Sequence, residues 1–340
     1  MSRARVAAVA VLACLHAGLP AAGTVAPAWL GTRVLPSTAD GFGEVRPTPA
    51  ALRDRRFTLQ DALPELPGTG FAARVEPAPA RVLARSTWRP GCPVAARDLA
   101  WVRLTFWGFD ERRHTGELLV NRSVAGPLVT VFHRLYDERF PIEQMRITTQ
   151  AEQDAPPTGD GNDTGAFACR PVRGATVFSQ HAYGLAVDVN PFQNPYLKGD
   201  LVLPELASSY RDRGRHRPGM ILAGGPVVRA FASIGWIWGG TWHSVQDLQH
   251  AACDMTEWPQ RSRCLRHKPD GNSARYLQPD PVEPLHPVSE AVCAIELSRT
   301  RTDPCCTENS AGGGDSARAA VEPSRRACSS WPCPVTSFGP

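Results

Sequence analysis

The apolar and polar positions first alternate regularly at Val102-Arg-Leu-Thr-Phe106, where Val102, Leu104 and Phe106 share one face and Arg103 and Thr105 the other. A period of two predicts a half-buried strand. Gly116 to Asn121 follows a polar turn as a second strand, so a hairpin is expected. Val124, Leu128, Val131, Phe132 and Leu135 then recur at helical spacing and predict an amphipathic helix as far as Arg139. Met145 to Thr149 is expected to return as a strand, with an Asp- and Gly-rich loop over 154–165. In Leu185 to Val189 a short strand is expected, with Ala186 and Asp188 on one face and Leu185, Val187 and Val189 packed on the other. Val227, Val228, Phe231 and Ile234 predict a later helix that stops at Gly235. Trp236, Trp238 and Trp242 alternate after it, and two of the three are expected in the core. This order of elements predicts a small α+β domain, a small antiparallel sheet with flanking helices.

The flanks lack that regularity. Residues 24–84 are rich in Pro and Ala with short periodic patches such as Phe57 to Leu63, and read as a linker or stem. Residues 256–340 are rich in Pro, Ser, Arg and Cys with no sustained apolar period, and read as a disordered tail. The first residues carry Arg3 and Arg5, an apolar run from Val6 to Leu19 and small residues up to Gly23, the layout of a secretory signal peptide over 1–23. The expected organisation is therefore signal 1–23, linker 24–84, a folded domain over 85–255 and the tail 256–340. Secretion is expected, with retention at a cell wall as a variant of it. No stable membrane span is expected, because no apolar run is long enough. A formal net charge of +4 over 340 residues gives no basis for nucleic-acid binding. A mildly basic surface suits an anionic wall. The expected state is a monomer.

Two short motifs carry the candidate chemistry: Ser179-Gln-His-Ala-Tyr-Gly-Leu-Ala-Val-Asp188 and Asp247-Leu-Gln-His250. His181, Asp188 and His250 supply two imidazoles and a carboxylate, the donor set of a catalytic zinc that keeps one position for water. A carboxylate at position 188, inside an apolar strand, is costly unless a cation relieves it. Asp247 and His250 stand three apart, so on a helical turn both project to one side, one toward the metal and the other toward water. Taken alone, Asp247 also suits a helix N-cap, and His114, His133 and His243 read as ordinary structural or surface histidines. The pair Gly239-Gly240 permits close backbone approach and is placed on the floor or wall of a cleft. Of ten cysteines, Cys14 falls in the signal and seven follow residue 250. Cys92 and Cys169 remain, and an exported domain pairs such cysteines, so a Cys92–Cys169 disulfide is expected. Closing a loop that long stabilises by about 3 to 5 kcal/mol.

Several ordered segments resemble the zinc D-alanyl-D-alanine carboxypeptidase and L-alanyl-D-glutamate endopeptidase family of bacterial cell-wall peptidases, whose fold is shared with the hedgehog signalling domain. They are Trp88-Arg-Pro-Gly-Cys-Pro93, Trp107-Gly-Phe-Asp110, His114-Thr-Gly116, Phe167-Ala-Cys-Arg170, Ser179 to Tyr196 and Gly235-Trp-Ile-Trp-Gly-Gly-Thr-Trp242. The likeness covers about residues 85–250. It departs after His250, where Ala251-Ala252 replace a phenylalanine usual in relatives, and at Leu248, where an aromatic is common. The resemblance implies one zinc ion bound by His181, Asp188 and His250, with Asp247 as general base. It also implies an arginine on the oxyanion, Arg170, with Arg173 as the alternative. Ser179, Tyr183, Trp238 and Gly239 are the implied substrate contacts. The implied activity is hydrolysis of stem-peptide bonds in peptidoglycan. The alternative reading is a non-catalytic wall-binding module on the same fold.

Overall fold

In the computed structural model, which describes residues 25–173 and 175–253, the expected hairpin is part of a three-stranded sheet. Strand β1 (Ala73–Pro77) pairs antiparallel with β2 (Leu99–Trp107), and β2 pairs antiparallel with β3 (Arg113–Asn121). A short helix α1 (Ala80–Arg85) fills the connection from β1 to β2. The alternation in β2 does what its period implies: Val102, Leu104 and Phe106 enter the main core. Helix α2 (Arg122–Asp137) begins where β3 ends, because the Asn121 side chain accepts a hydrogen bond from Ser123 N at 3.1 Å and caps the first turn. Its stripe of Val124, Leu128, Val131, Phe132 and Leu135 is buried in the same core. Each such side chain contributes about 1.5 to 3 kcal/mol on burial. A charge at Val131 would oppose that at the centre of the stripe.

The second half is built from short pieces. A capping box between Thr149 and Glu152 starts helix α3 (Gln150–Asp154). Strands β4 (Ala186–Asp188), β5 (Tyr196–Lys198) and β6 (Leu201–Leu203) follow, then helix α4 (Pro226–Ala232). Strands β7 (Trp236–Trp238), β8 (Gln246–Asp247) and β9 (His250–Cys253) complete the described chain. They form two further antiparallel sheets, β4-β9-β7 and β6-β5-β8. The α+β class expected from the pattern is therefore the observed one, with the sheet divided into three. Leu185, Val187 and Val189 all face the main core, as the strand reading required. Trp236 and Trp238 are buried while Trp242 is exposed.

Three local expectations are corrected. Asp247 and His250 do not share a helical turn: they lie on β8 and β9, which take their hydrogen bonds from β5 and from β4 and β7. Pairing with strands far away in sequence overrides the local three-residue spacing. Met145 to Thr149 is not a strand but a single bridge from Met145 to Thr164, since β3 offers it only the contact from Glu117 N to Met145 O at 3.1 Å. Residues 25–84 are not a free linker. β1 covers the open edge of β2, and Leu35, Leu52 and Phe57 build a second core with Phe192, Val202 and Tyr210. Proline-rich chain can bury apolar residues without any period, which is why the pattern missed it. The expected signal over 1–23 and tail over 256–340 lie outside the described residues.

Disulfide Cys92–Cys169 is present, with Cα atoms 5.8 Å apart and 77 residues between them in sequence. It joins the approach to β2 to the segment bearing Arg170. Cys253, at the end of β9, is buried and also disulfide-bonded.

Candidate metal centre

His181 sits on a 3-10 turn over Gln180–Tyr183 whose start is capped by the Ser179 side chain. The turn closes on Gly184, which has a φ of +68° and rests against the backbone of Asn121. A side chain there would meet both the unfavourable φ and the close strand, so glycine is required. The turn leads into β4, where Asp188 is held by two backbone bonds with Gly165, at 2.9 and 3.1 Å. In the β4–β9 pairing Asp188 lies directly opposite His250. Side chains opposed in an antiparallel pair share one face of the sheet. Two ligand candidates far apart in sequence thus become neighbours by register.

The three candidate donor atoms converge within 4.8 Å of one another. His181 Nε2 lies 3.2 Å from His250 Nδ1 and 3.2 Å from an Asp188 oxygen, while His250 Nδ1 lies 3.0 Å from the other Asp188 oxygen. Both imidazoles are buried. Burial alone would raise the Asp188 pKa, but His181 and His250 hold its carboxyl well below the usual range. Burial alone would lower the His250 pKa, and the bond to Asp188 and the charges of Asp188 and Asp247 raise it instead. Two nitrogens and a carboxylate oxygen around one point suit zinc.

Asp247 stands beside this cluster. Burial, followed by the charge of Asp188, pushes its pKa up to about 6 against the opposing pull of His250 and His181. Its Oδ1 is buried with no hydrogen-bond partner among the described residues. Gly239 explains how it gets there: a Cβ at 239 would lie 2.7 Å from the Asp247 carbonyl oxygen and 2.9 Å from its Cβ. Glycine lets the turn after β7 press against β8.

The other expected site residues divide. Arg170 is half-buried, and its charge acts on His250. Arg173 turns away, with its guanidinium 4.2 Å from the Phe42 ring and a bond to Gly41 O at 3.3 Å. Ser179 is occupied as the cap of the His181 turn. The Tyr183 ring packs on the main core, and Trp238 is buried with Nε1 donating to Leu248 O at 2.8 Å. Trp238 pairs with Ala251, so a small residue after His250 accommodates the indole. His114, His133 and His243 do not join the cluster: His114 is held between Asp61 and Asp110, His133 stacks on Phe71, and His243 is exposed.

Three neighbours escaped the sequence reading. The exposed Trp242 ring lies 5.6 Å from the His250 ring. Tyr196 on β5 is directly opposite Asp247. Gln180 reaches His250 Nε2 with its Oε1 at 3.1 Å. The sequence reading set Trp242 in one alternation with Trp236 and Trp238 without separating it from them, and nothing in the sequence distinguishes Gln180 or Tyr196.

The sequence profile of the D-alanyl-D-alanine carboxypeptidase family matches residues 173–253, a span that contains His181, Asp188, Asp247 and His250. The α+β fold and this match together support a peptidase domain of that kind. No curated protein and no solved structure matches the chain. Among the described residues, no helix is long and apolar enough to cross a membrane.

Proposed function

We propose that the protein is a secreted zinc metallopeptidase that hydrolyses peptide bonds in the stem peptides of bacterial peptidoglycan, of D-alanyl-D-alanine carboxypeptidase or L-alanyl-D-glutamate endopeptidase type. The observation that carries this reading is the convergence of His181, Asp188 and His250 beside the carboxylate of Asp247, whose buried Oδ1 has no hydrogen-bond partner among the described residues. A single zinc held by those three side chains supplies, when bound, a Lewis acid that acidifies water and polarises a carbonyl.

The rest is done by the chain. Asp247 takes the proton of the attacking water and returns it to the leaving amine. A carboxylate whose pKa burial raises suits that exchange, because burial makes it a stronger base toward the water's proton. Arg170 steadies the developing oxyanion or a substrate carboxylate with a charge that does not titrate. Arg173, engaged with Phe42 and Gly41, is the poorer candidate. Trp242 offers an apolar wall beside His250, with Gly239 behind the base. Residues 1–23 act as the export signal, the active form is a monomer, and its place is outside the cell, at or near the wall.

The purified protein should release peptide fragments or free D-alanine from sacculi, and a chelator should suppress the release until zinc is restored. Tight binding to sacculi with no release would replace the enzyme with a binding module. Mass spectrometry of products from defined muropeptides separates the carboxypeptidase from the endopeptidase.

A further inference from the structure

We infer that two arginine-rich stretches, residues 53–56 and 211–217, form a docking surface for a phosphodiester polymer of the cell wall, built from residues that the metal centre does not use. That the partner belongs to the wall rests on the function proposed above; the anion-binding character does not. The stretches read Arg53-Asp-Arg-Arg56 and Arg211-Asp-Arg-Gly-Arg-His-Arg217, with seven arginines and two aspartates between them. Arg55 is neutralised by Glu143. The six arginines that remain stand against two aspartates, an excess of four positive charges, as large as the +4 of the whole chain. A small overall charge therefore conceals a local concentration.

The fold joins these stretches although they lie 161 residues apart in sequence. Arg215 Nη2 donates to both oxygens of Asp54, at 2.9 and 3.1 Å, and Arg217 Nε lies 3.4 Å from the same carboxylate. Asp54, Arg56, Arg215, His216 and Arg217 line one surface cavity of about 310 Å³, within the range of about 300 to 1,000 Å³ usual for ligand sites. Two of the arginines are fixed by uncharged groups. The Arg217 guanidinium lies 4.3 Å from the Tyr210 ring and donates from both terminal nitrogens to Ser209 O at 3.2 Å. Arg213 donates to the Gln193, Tyr210 and Ile221 carbonyl oxygens and to Asn194 Oδ1. None of those acceptors cancels a charge. Burial, followed by the charge of Arg217, pushes the Arg213 pKa down to about 10, so it is still a cation at neutral pH. Like charges are thus held together with one carboxylate, Asp54, among those lining the cavity. A bound anion relieves their repulsion, and a guanidinium matches phosphate oxygens with paired donors.

A wall polymer fits better than a membrane or a nucleic acid. The exposed large apolar side chains all lie outside both stretches, so nothing there would insert among lipids. The cavity lining contains no Phe, Tyr or Trp on which a base could stack, and Tyr210 is buried.

The test is cosedimentation of the full-length protein with sacculi, on ice and with brief incubation so that binding is read ahead of turnover. One batch keeps its phosphodiester polymers and the other has lost them to hydrofluoric acid; both keep their peptide carboxylates. The wild type should bind the intact batch severalfold more tightly, and added salt should shrink the difference. R56Q/R215Q should lose about 3- to 10-fold on the intact batch, the scale of two exposed charge contacts, and nothing on the stripped one. Asp54→Asn removes the carboxylate that competes for Arg215 and should tighten binding to the intact batch. The inference is overturned by equal wild-type binding to the two batches, by R56Q/R215Q binding the intact batch as tightly as the wild type, or by a preference for anionic lipid vesicles or a single-stranded oligonucleotide over intact sacculi. Should R56Q/R215Q fail to fold, the two batches and Asp54→Asn decide, and an Asp54→Asn that binds more weakly counts against the surface. Cleavage of a soluble muropeptide by R56Q/R215Q should match the wild type. A wild type that prefers intact sacculi but cleaves nothing would end the peptidase reading and leave this surface standing.

Discussion

Two buried ionic clusters in this chain differ in one respect, and the difference separates a structural site from a reactive one. In the first, Arg55 donates from Nε and Nη2 to the two oxygens of Glu143, at 2.8 and 2.6 Å, and from Nη1 to Asp160 O at 2.8 Å. Asn162 adds a bond to Glu143 Oε2 at 2.8 Å, and the guanidinium lies 4.6 Å from the Phe192 ring. Every nitrogen of that guanidinium is used. In the second, His181, Asp188 and His250 bring side-chain nitrogens and oxygens within 4.8 Å of one another, and Asp247 Oδ1 has no partner among the described residues. Both clusters are buried, so burial alone does not mark function. The closed cluster fastens residues 25–84 to the domain; the open one gathers donor atoms of three side chains within 4.8 Å of one another.

That contrast can be broken most sharply at Asp247. Asp247→Ala should lower kcat by on the order of 10³-fold while leaving zinc stoichiometry intact, as judged by steady-state rates and metal analysis. A variant as fast as the parent would return Asp247 to the structural class. At the closed cluster the expected effect falls on stability instead. Arg55→Met leaves Glu143 charged and unpaired in the interior and should cost about 3 to 5 kcal/mol in denaturant unfolding, with kcat per folded molecule unchanged. The double variant R55M/E143M should recover much of the loss, because no lone charge is then left behind. If the double variant is no better than the single, the pair is not the fastening it resembles.

A finer probe is Gly239→Ala. Its methyl group meets backbone and Cβ of Asp247 rather than a flexible side chain, so β8 must move. A displacement of that order should lower kcat by about 10- to 100-fold, with little change in the unfolding midpoint. The smallest effect belongs to a third ionic contact intermediate between the two. His114 is bonded through Nδ1 to Asp61 at 2.9 Å and through Nε2 to Asp110 at 3.1 Å. Burial by itself would lower its pKa, but the two carboxylates raise it overall. A histidine raised in the folded state contributes stability that is fully present below its unfolded pKa and lost as pH rises through the folded value. Thermal unfolding followed upward from pH 6 should therefore show a small decline that His114→Asn abolishes; an unchanged decline in that variant would exclude His114 as its source.

Much of the candidate site could be read from the chain because its parts are local. Gly184 sits where the turn needs a positive φ, Asp188 shares a strand with core valines, and the tryptophan pair alternates with an exposed isoleucine. Other features could not be read. The packing of residues 25–84 follows no period, since Leu35, Leu52 and Phe57 are buried from irregular chain. The helical turn expected at Asp247 and His250 gave way to two strand ends for the same kind of reason: their partners, Tyr196 and Asp188, lie far off in sequence.

The sequence by itself determined which donor types were available, the α+β class, the hairpin with its helix and the pairing of Cys92 with Cys169. These follow from periodicity, residue chemistry and the export that the first residues suggest. Only the tertiary structure decided that Arg173 lies against Phe42 and Gly41, that Ser179 caps a turn, and that Gln180 faces His250 with its oxygen. Such choices depend on which hydrogen-bond partners remain once distant strands have paired, and short-range pattern carries no record of that competition.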